Sequence, residues 1–310
     1  MKFPMPREYR HIRPIDTVWY GNPQLKEGLS VPEITIKYGS LSSRIKTMPS
    51  YAKYLLGSLR ELAKAVKSIK RNPYTSNKTL SAEGLAEIEA VAQGLGISGI
   101  GYTKVKETHL FKESIVLFKY AMVFTVEMKK TAIEQAPSKK TIQEIFRTYY
   151  ELGRAVNLIS DFLREKGFNA QAIPAIGSNL NLTVMARDAG LGGFGKNGLL
   201  ITPDYGPSVR LAAVLTDIEN LPVNQRLDYD WLPDFCATCH ACVKKCPAQA
   251  IYEKPMICKD GSEQHIDYKK CAVPFSKQHG CTVCIKECAF FKSDYKKIAA
   301  AYIRKEKAAK

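Results

Sequence analysis

The 310-residue chain contains no apolar run long enough to cross a bilayer. Its best stretch, Ile115 to Val126, is interrupted by Lys119 and falls short of the roughly 20 apolar residues that a spanning helix needs. No apolar core follows the charges of the N-terminal MKFPMPREYRHIRP, so neither a signal peptide nor a twin-arginine signal is expected. Internal repeats are absent apart from two groups of cysteines, and low complexity is confined to the Lys/Ala-rich tail. Acidic residues are scarce, 30 against 46 basic ones, which leaves a formal net charge of +16. The excess is dispersed, as at Lys64, Lys67, Lys70 and Arg71 and again at Lys296, Lys297, Arg304 and Lys305. It lacks the interleaved aromatics of a base-stacking platform. An acidic electron donor or a plain solvated surface accounts for it better than tRNA does.

The cysteines carry most of the information. FCATCHACVKKCP places Cys236, Cys239, Cys242 and Cys246 in the spacing C-x2-C-x2-C-x3-C, with Pro247 directly after. This is the bacterial ferredoxin run, in which three thiolates hold one iron–sulfur cluster and the fourth reaches a second. CAVPFSKQHGCTVCIKEC then offers Cys271, Cys281, Cys284 and Cys288. Eight thiols in two groups of four suffice for two [4Fe-4S] clusters; two zinc sites are the alternative, since C-x2-C pairs hold zinc as well. Cys258, the ninth cysteine, falls outside both groups and is expected to be a bystander. Thiols committed to metal rather than to disulfides point to a reducing compartment, with the cytoplasm as the expected location.

Upstream, helices and strands alternate, which predicts a mixed, α+β layer fold. Residues 1–50, with strand-like pieces such as Ile34-Thr35-Ile36, read as an arm over the rest. Tyr51 to Lys70 carries a helical apolar stripe, and a second helix is expected from an N-cap at Ser81 to Gly94 and Gly96. A short strand is expected around Ile97 to Tyr102, and Ser114 to Met128 reads as a central buried strand. The longest helix is expected from Thr141 to Lys166, capped by Gly167, with a strand over Phe168 to Ile173 after it. A short helix over Asn179 to Asp188 and strands over Leu199 to Thr202 and Val209 to Thr216 complete the core.

Gly190, Gly192 and Gly195 match G-x-G-x-x-G, with Asp217 about twenty residues on, as a dinucleotide site asks. The context is wrong, because a helical stretch precedes the glycines and a strand follows them. Glycine-rich backbone here would instead let a large flat cofactor approach closely.

AGLGGFGKNGLLITPDYGPSVRLAAVLTD (Ala189 to Asp217), followed by the two cysteine groups, resembles the corrinoid-dependent iron–sulfur reductases: the reductive dehalogenases and the epoxyqueuosine reductases. The resemblance extends over roughly residues 80–295 through FKYAMVFTVEM and FLREKGFNAQAIP, and TPDYGPSVR lies closer to the dehalogenase branch. It implies a nitroreductase-like cobalamin-binding core over residues 51–225 and a bacterial ferredoxin-like two-cluster domain over 226–295, with a basic helical tail at 296–310. The cobalamin would be base-off, without a histidine under the cobalt, in keeping with the absence of D-x-H-x-x-G. Cys236, Cys239, Cys242 and Cys288 would hold one cluster, and Cys246, Cys271, Cys281 and Cys284 the other. Their electrons, from a low-potential ferredoxin- or flavodoxin-like donor, would give Co(I) for reductive cleavage of a bond in a small-molecule substrate.

The resemblance also implies a tyrosine proton donor with a cation beside it, matched here by Tyr149 or Tyr150 and by Arg210. Tyr149 also lies on the apolar stripe of the long helix, where a core role is open to it, and Arg210 has Asp204 and Asp217 as possible salt-bridge partners. Asn179, Asn181, Gly190, Gly192, Gly195, Lys196 and Tyr205 are the candidate corrinoid contacts; the asparagines serve equally as helix caps. Near Ile176, where the queuosine branch carries a catalytic Asp, QAIPAIGSN has no carboxylate. An epoxyqueuosine reductase acting on tRNA, or an electron-transfer protein without corrinoid, are the alternatives.

Overall fold

The structure, a computed structural model, describes residues 8–22, 37–38, 45–112, 114–178, 180–223 and 229–308. The strand-like Ile34-Thr35-Ile36, the candidate Asn179 and the expected boundary near residue 225 lie outside the described residues.

The strands, in chain order, are β1 (Trp19–Tyr20), β2 (Gly99–Lys104), β3 (Ile115–Val116), β4 (Tyr120–Glu127), β5 (Ala170–Ile173), β6 (Gly193–Phe194), β7 (Leu200–Ile201), β8 (Val209–Thr216), β9 (Ile251–Ile257) and β10 (Glu263–Ile266). The central sheet has four antiparallel strands in the order β2-β4-β8-β5. Its helices are α1 (Ala52–Ser68), α2 (Ala82–Gly94), α3 (Lys139–Glu165) and α4 (Leu182–Asp188).

Side chains alternate across a strand, so each face of this sheet meets its own set of neighbours. Met122, Phe124 and Val126 of β4, with Ala212 and Val214 of β8, pack on Ile88 and Ala92 of α2 and on Leu152, Val156, Ile159 and Leu163 of α3. Ala121 and Val123, with Ala213 and Leu215, turn the other way onto Met185 and Ala186 of α4. A strand buried on both faces must be apolar at nearly every position, which is how FKYAMVFTVEM reads. The expected strand over Ser114 to Met128 is two strands, because Leu117 and Phe118 leave the ladder to fill the α4 side of the core.

Local capping sets the helix limits. Ser81 accepts from the Gly84 N–H, and Ser138 accepts from the Thr141 N–H, opening α3 two residues before the expected start. Gly167, at φ +83°, ends the long helix in the left-handed conformation that a side chain would resist. The described part of the N-terminal segment is tied to the core by the β1–β3 pair and by Arg13, which donates to the Asn72 and Pro73 carbonyls.

Beyond the core, α5 (Leu232–Cys239), a turn over Ala241–Lys245, the β9–β10 hairpin and α6 (Tyr268–Lys277) carry most of the cysteines. The tail helix α7 (Tyr295–Ala308) exposes most of the side chains described for it but docks one face, with Tyr302 5.4 Å and Tyr295 5.5 Å from the Trp231 ring.

Candidate functional site

The two cysteine runs repeat one local design. Cys239 closes α5, His240 reverses the chain at φ 53°, Cys242 follows in a short helical turn, and Cys246 leaves it extended. In the second run Thr282 reverses the chain at φ 58° after Cys281, Cys284 follows in the turn Val283–Lys286, and Cys288 leaves extended. The left-handed residue lets two thiols three positions apart face the same point.

Folding then sorts the eight thiols by neighbour rather than by sequence. Cys236, Cys239 and Cys242 face one another, and Cys288 joins them from the second run. Cys271, Cys281 and Cys284 face one another, Cys246 joins them from the first, and Cys242 of the other set also lies near Cys284. Burial pushes Cys236 and Cys281 up, Cys242 and Cys271 to about 11 and Cys288 to about 12, with neighbouring thiols adding to the effect. Cys284, the deepest of them, is raised further, also by burial first. Backbone amides oppose this: Lys196 N–H points at Cys236, Val283 N–H at Cys281, and those of Phe290 and Phe291 at Cys288. Ala250 N–H reaches the Cys246 Sγ at 3.3 Å. Clustered sulfurs with amide N–H groups aimed at them suit thiolate ligation of a cationic metal. Among the described residues no three Cys, His, Asp or Glu side chains converge tightly enough for a single metal ion, whose thiolate ligands sit about 2.3 Å away. Cys258 stands apart on the hairpin, 3.9 Å from the Gln264 side chain.

The cysteine segment is fitted against the core. A Cβ at Gly206, in TPDYGPSVR, would lie 2.4 Å from the Phe290 carbonyl oxygen, and one at Gly280 would meet Ile145 of α3. The Lys286 Nζ donates to the Ala136 carbonyl at 3.0 Å. One apolar cluster spans the junction: Phe146 and Tyr149 of α3, Met128, Ile176, Ile285 and Phe291, with Leu199, Cys284 and Cys288 at its edge.

Tyr149 and Arg210 meet in this junction. Arg210, on β8, donates from Nη1 to the Tyr149 Oη at 3.3 Å and from Nη2 to the Met128 Sδ at 3.3 Å. Its guanidinium carbon lies 4.2 Å from the Tyr149 ring centroid. The Arg210 Nε is buried with no hydrogen-bond partner among the described residues. Because the guanidinium supplies the proton of that bond, the phenol's own O–H stays available to a substrate. The structure records no bond from Arg210 to Asp204 or Asp217; Asp217 instead ties Lys78, Ser76 and Asn169 together. Tyr150, one position along α3, points elsewhere, onto Gly57 of α1, where a Cβ would lie 2.5 Å from its ring.

The glycine segment has a different place. Gly190 sits at φ +76°, just after α4. A Cβ at Gly192 would lie 2.2 Å from the Ile201 carbonyl oxygen, and one at Gly195 would meet Asn197 and Ile201 at 2.9 Å. The segment runs from a helix into β6, a turn and β7, which disposes of the dinucleotide fingerprint. Lys196, mostly buried, holds a polar trio beside Cys236: its Nζ is 2.8 Å from the His240 Nε2 and 3.1 Å from Glu253, and His240 is 2.8 Å from Glu253. Neither His240 nor Lys196 had a visible partner in the sequence, because Glu253 reaches them from the β9–β10 hairpin.

A cleft of about 820 Å³ opens beside this trio, lined by Gly193 to Lys196, Cys236, Glu253 and His265. Tyr149 and Arg210 do not line it. Asn181 caps α4, its side chain accepting from Val184 N–H at 3.4 Å, and the Tyr205 N–H donates to the Thr202 hydroxyl in the turn after β7. Met128 and Ile176, both beside Tyr149, were not legible as site residues; no pattern marks an apolar side chain as facing a phenol.

The chain is 32% identical over 221 residues to a tetrachloroethene reductive dehalogenase of Dehalobacter restrictus, a match covering 66% of this chain and 39% of that protein. It is 29% identical over 182 residues to the tetrachloroethene reductive dehalogenase of Sulfurospirillum multivorans, covering 56% of this chain and 36% of that protein. An epoxyqueuosine reductase of Listeria monocytogenes is 25% identical over 193 residues, covering 58% and 49%. The chain thus spans about two fifths of the length of the dehalogenases it matches. No protein-family profile matches it. Among solved structures, a reductive dehalogenase described in terms of B12-dependent dehalogenation superposes with a TM-score of 0.70 at 18% identity, over 99% of this chain and 49% of its own. A catabolic reductive dehalogenase superposes with a TM-score of 0.64 at 20% identity, over 79% and 39%. At these identities the likeness is one of fold.

Proposed function

Taking the chain as a relative of the reductive dehalogenase and epoxyqueuosine reductase superfamily, closer to the dehalogenases, we propose that it is a corrinoid- and iron–sulfur-dependent reductase acting on a small molecule. The observation that carries this reading is the Tyr149–Arg210 pair, held at 3.3 Å in the apolar junction that reaches Cys284 and Cys288. Tyr149 is the proton donor: the arginine fixes its oxygen, and the surrounding Met128, Phe146 and Ile176 exclude water from it. Arg210 keeps a fixed positive charge where a leaving group becomes an anion, and its unpartnered Nε offers a further donor.

Residues 51–225 form the nitroreductase-like core and 226–295 the ferredoxin-like domain in this reading. Cys236, Cys239, Cys242 and Cys288 hold one [4Fe-4S] cluster; Cys246, Cys271, Cys281 and Cys284 hold the second. The grouped thiols and the amides aimed at them suit this donor set. In this reading Asn181, Tyr205 and the Gly190–Lys196 segment are the contacts for a base-off corrinoid; the part of that segment from Gly193 to Lys196 borders the cleft beside Cys236, which Tyr149 and Arg210 do not line. When bound, the corrinoid supplies a strongly reducing, nucleophilic cobalt, and the clusters supply low-potential electrons. The alternative reading as an epoxyqueuosine reductase is disfavoured by the segment around Ile176, QAIPAIGSN, which has no carboxylate where the resemblance to that branch implies a catalytic Asp.

The test is retention of corrinoid. Chain reconstituted anaerobically with iron and sulfide, mixed with excess cobalamin and desalted, should carry about one corrinoid, seen in its visible spectrum. Iron-replete chain that elutes without cobalamin would overturn the reductase reading in favour of a plain electron carrier. Retention of tRNA at low salt, lost as salt rises, would favour the queuosine reading.

A further inference from the structure

We propose that the lysines around the second cysteine group, Lys244, Lys245, Lys269 and Lys270, form the docking face for a small acidic one-electron carrier protein. The inference rests on the reading of Cys246, Cys271, Cys281 and Cys284 as a redox centre. Lys244 and Lys245 directly precede Cys246, and Lys269 and Lys270 directly precede Cys271. Those two thiols are neighbours, so both lysine pairs converge on one group although they lie 25 residues apart in the chain.

All four lysines are exposed, and none of them forms an ion pair among the described residues. The acids nearby are already engaged. Asp267 caps α6, accepting from the Lys269 and Lys270 N–H groups, and Glu287, which faces Lys245, is bound to Lys292 at 2.5 Å. Val273, three and four positions on from these lysines, shares their face of α6 and is 38% exposed. An apolar spot bordered by four unpaired lysines, against the single Asp267 carboxylate, suits a transient protein contact, in which charge steers the encounter and a small dry centre aligns it.

The first cysteine group is more mixed in charge: Lys196 and His240 both contact Glu253, and the adjoining cleft carries Asp230, Asp234 and Glu263 beside Lys106, Arg187 and Lys254. In each encounter one electron leaves the reduced carrier and is taken up at the Cys246/Cys271 centre, with no bond made or broken.

Charge reversal tests this on the iron-replete chain. Association with a reduced acidic ferredoxin is followed by stopped-flow at low and high salt, with wild type compared with a variant carrying K244E, K245E, K269E and K270E. The variant should bind about tenfold or more slowly at low salt, and the difference should vanish once salt screens the charges. Its cluster absorbance should match wild type, which separates a lost docking face from a lost centre. Wild type lacking clusters would defeat the functional reading itself. Variant and wild type associating at the same rate, each with full clusters, would overturn the docking face. Bulk tRNA displacing the ferredoxin from wild type would reassign the patch to nucleic acid.

Discussion

Cys246→Ser should remove the cluster that belongs to the second cysteine run, although Cys246 lies in the first. The structure sets its thiol beside Cys271 and Cys284, while Cys288 crosses back to Cys236 and Cys242. Iron counts from single and double variants read this crossing directly. Each single change, Cys246→Ser or Cys239→Ser, should leave about four of about eight irons. Cys246→Ser combined with Cys271→Ser should lose no more than either alone, because both empty one centre. Cys246→Ser combined with Cys239→Ser should lose nearly all. Ligands of one centre act as a unit and those of separate centres add, which is the logic of a double-mutant cycle. If the Cys246/Cys239 pair loses no more iron than each single change, ligation follows the sequence runs and the crossing is wrong.

Tyr149→Phe should cost turnover about a hundredfold or more, while Tyr150→Phe should leave it close to wild type. The two tyrosines are adjacent in sequence but face different partners: Tyr149 receives the Arg210 hydrogen bond, and Tyr150 lies against Gly57. Arg210→Gln should lose activity comparably, and Arg210→Lys should recover part of it, since lysine restores the charge but not the planar fork over the ring. Losing an acceptor from a charged donor also costs about 1.5–3 kcal/mol, so urea unfolding of Tyr149→Phe separates folding from chemistry. Under the proposed function, halide released from halogenated phenol and alkene probes by the corrinoid-loaded chain is the readout. Equal, full activity of Tyr149→Phe and Tyr150→Phe would remove the proton-donor assignment.

Local chemistry made much of the fold legible. Ser81 and Gly167 marked helix limits that the structure keeps to within a few residues, because caps act through their own neighbours, whereas the cap at Ser138 opens α3 two residues before the expected start. β8 runs over Val209–Thr216 as expected, since a strand covered on both faces shows in composition. The split at Leu117–Phe118 was hidden, because an apolar run does not say which of its residues leave the ladder. In the site, cysteine spacing is a local signal and was readable, whereas choosing Tyr149 over Tyr150 required knowing where Arg210 lands across the sheet. The Lys196–His240–Glu253 trio depends on the hairpin folding back over α5, a long-range event without a local signature.

The account stands or falls on two four-cysteine iron–sulfur centres fitted against the Tyr149–Arg210 junction. The most direct measurement is the iron, zinc and sulfide content of anaerobically prepared chain, with EPR of the reduced protein. The account predicts about eight irons and about eight sulfides per chain, and a reduced spectrum showing two neighbouring, magnetically interacting clusters. About two zinc ions with no sulfide, or about four irons giving a single isolated signal, would contradict it.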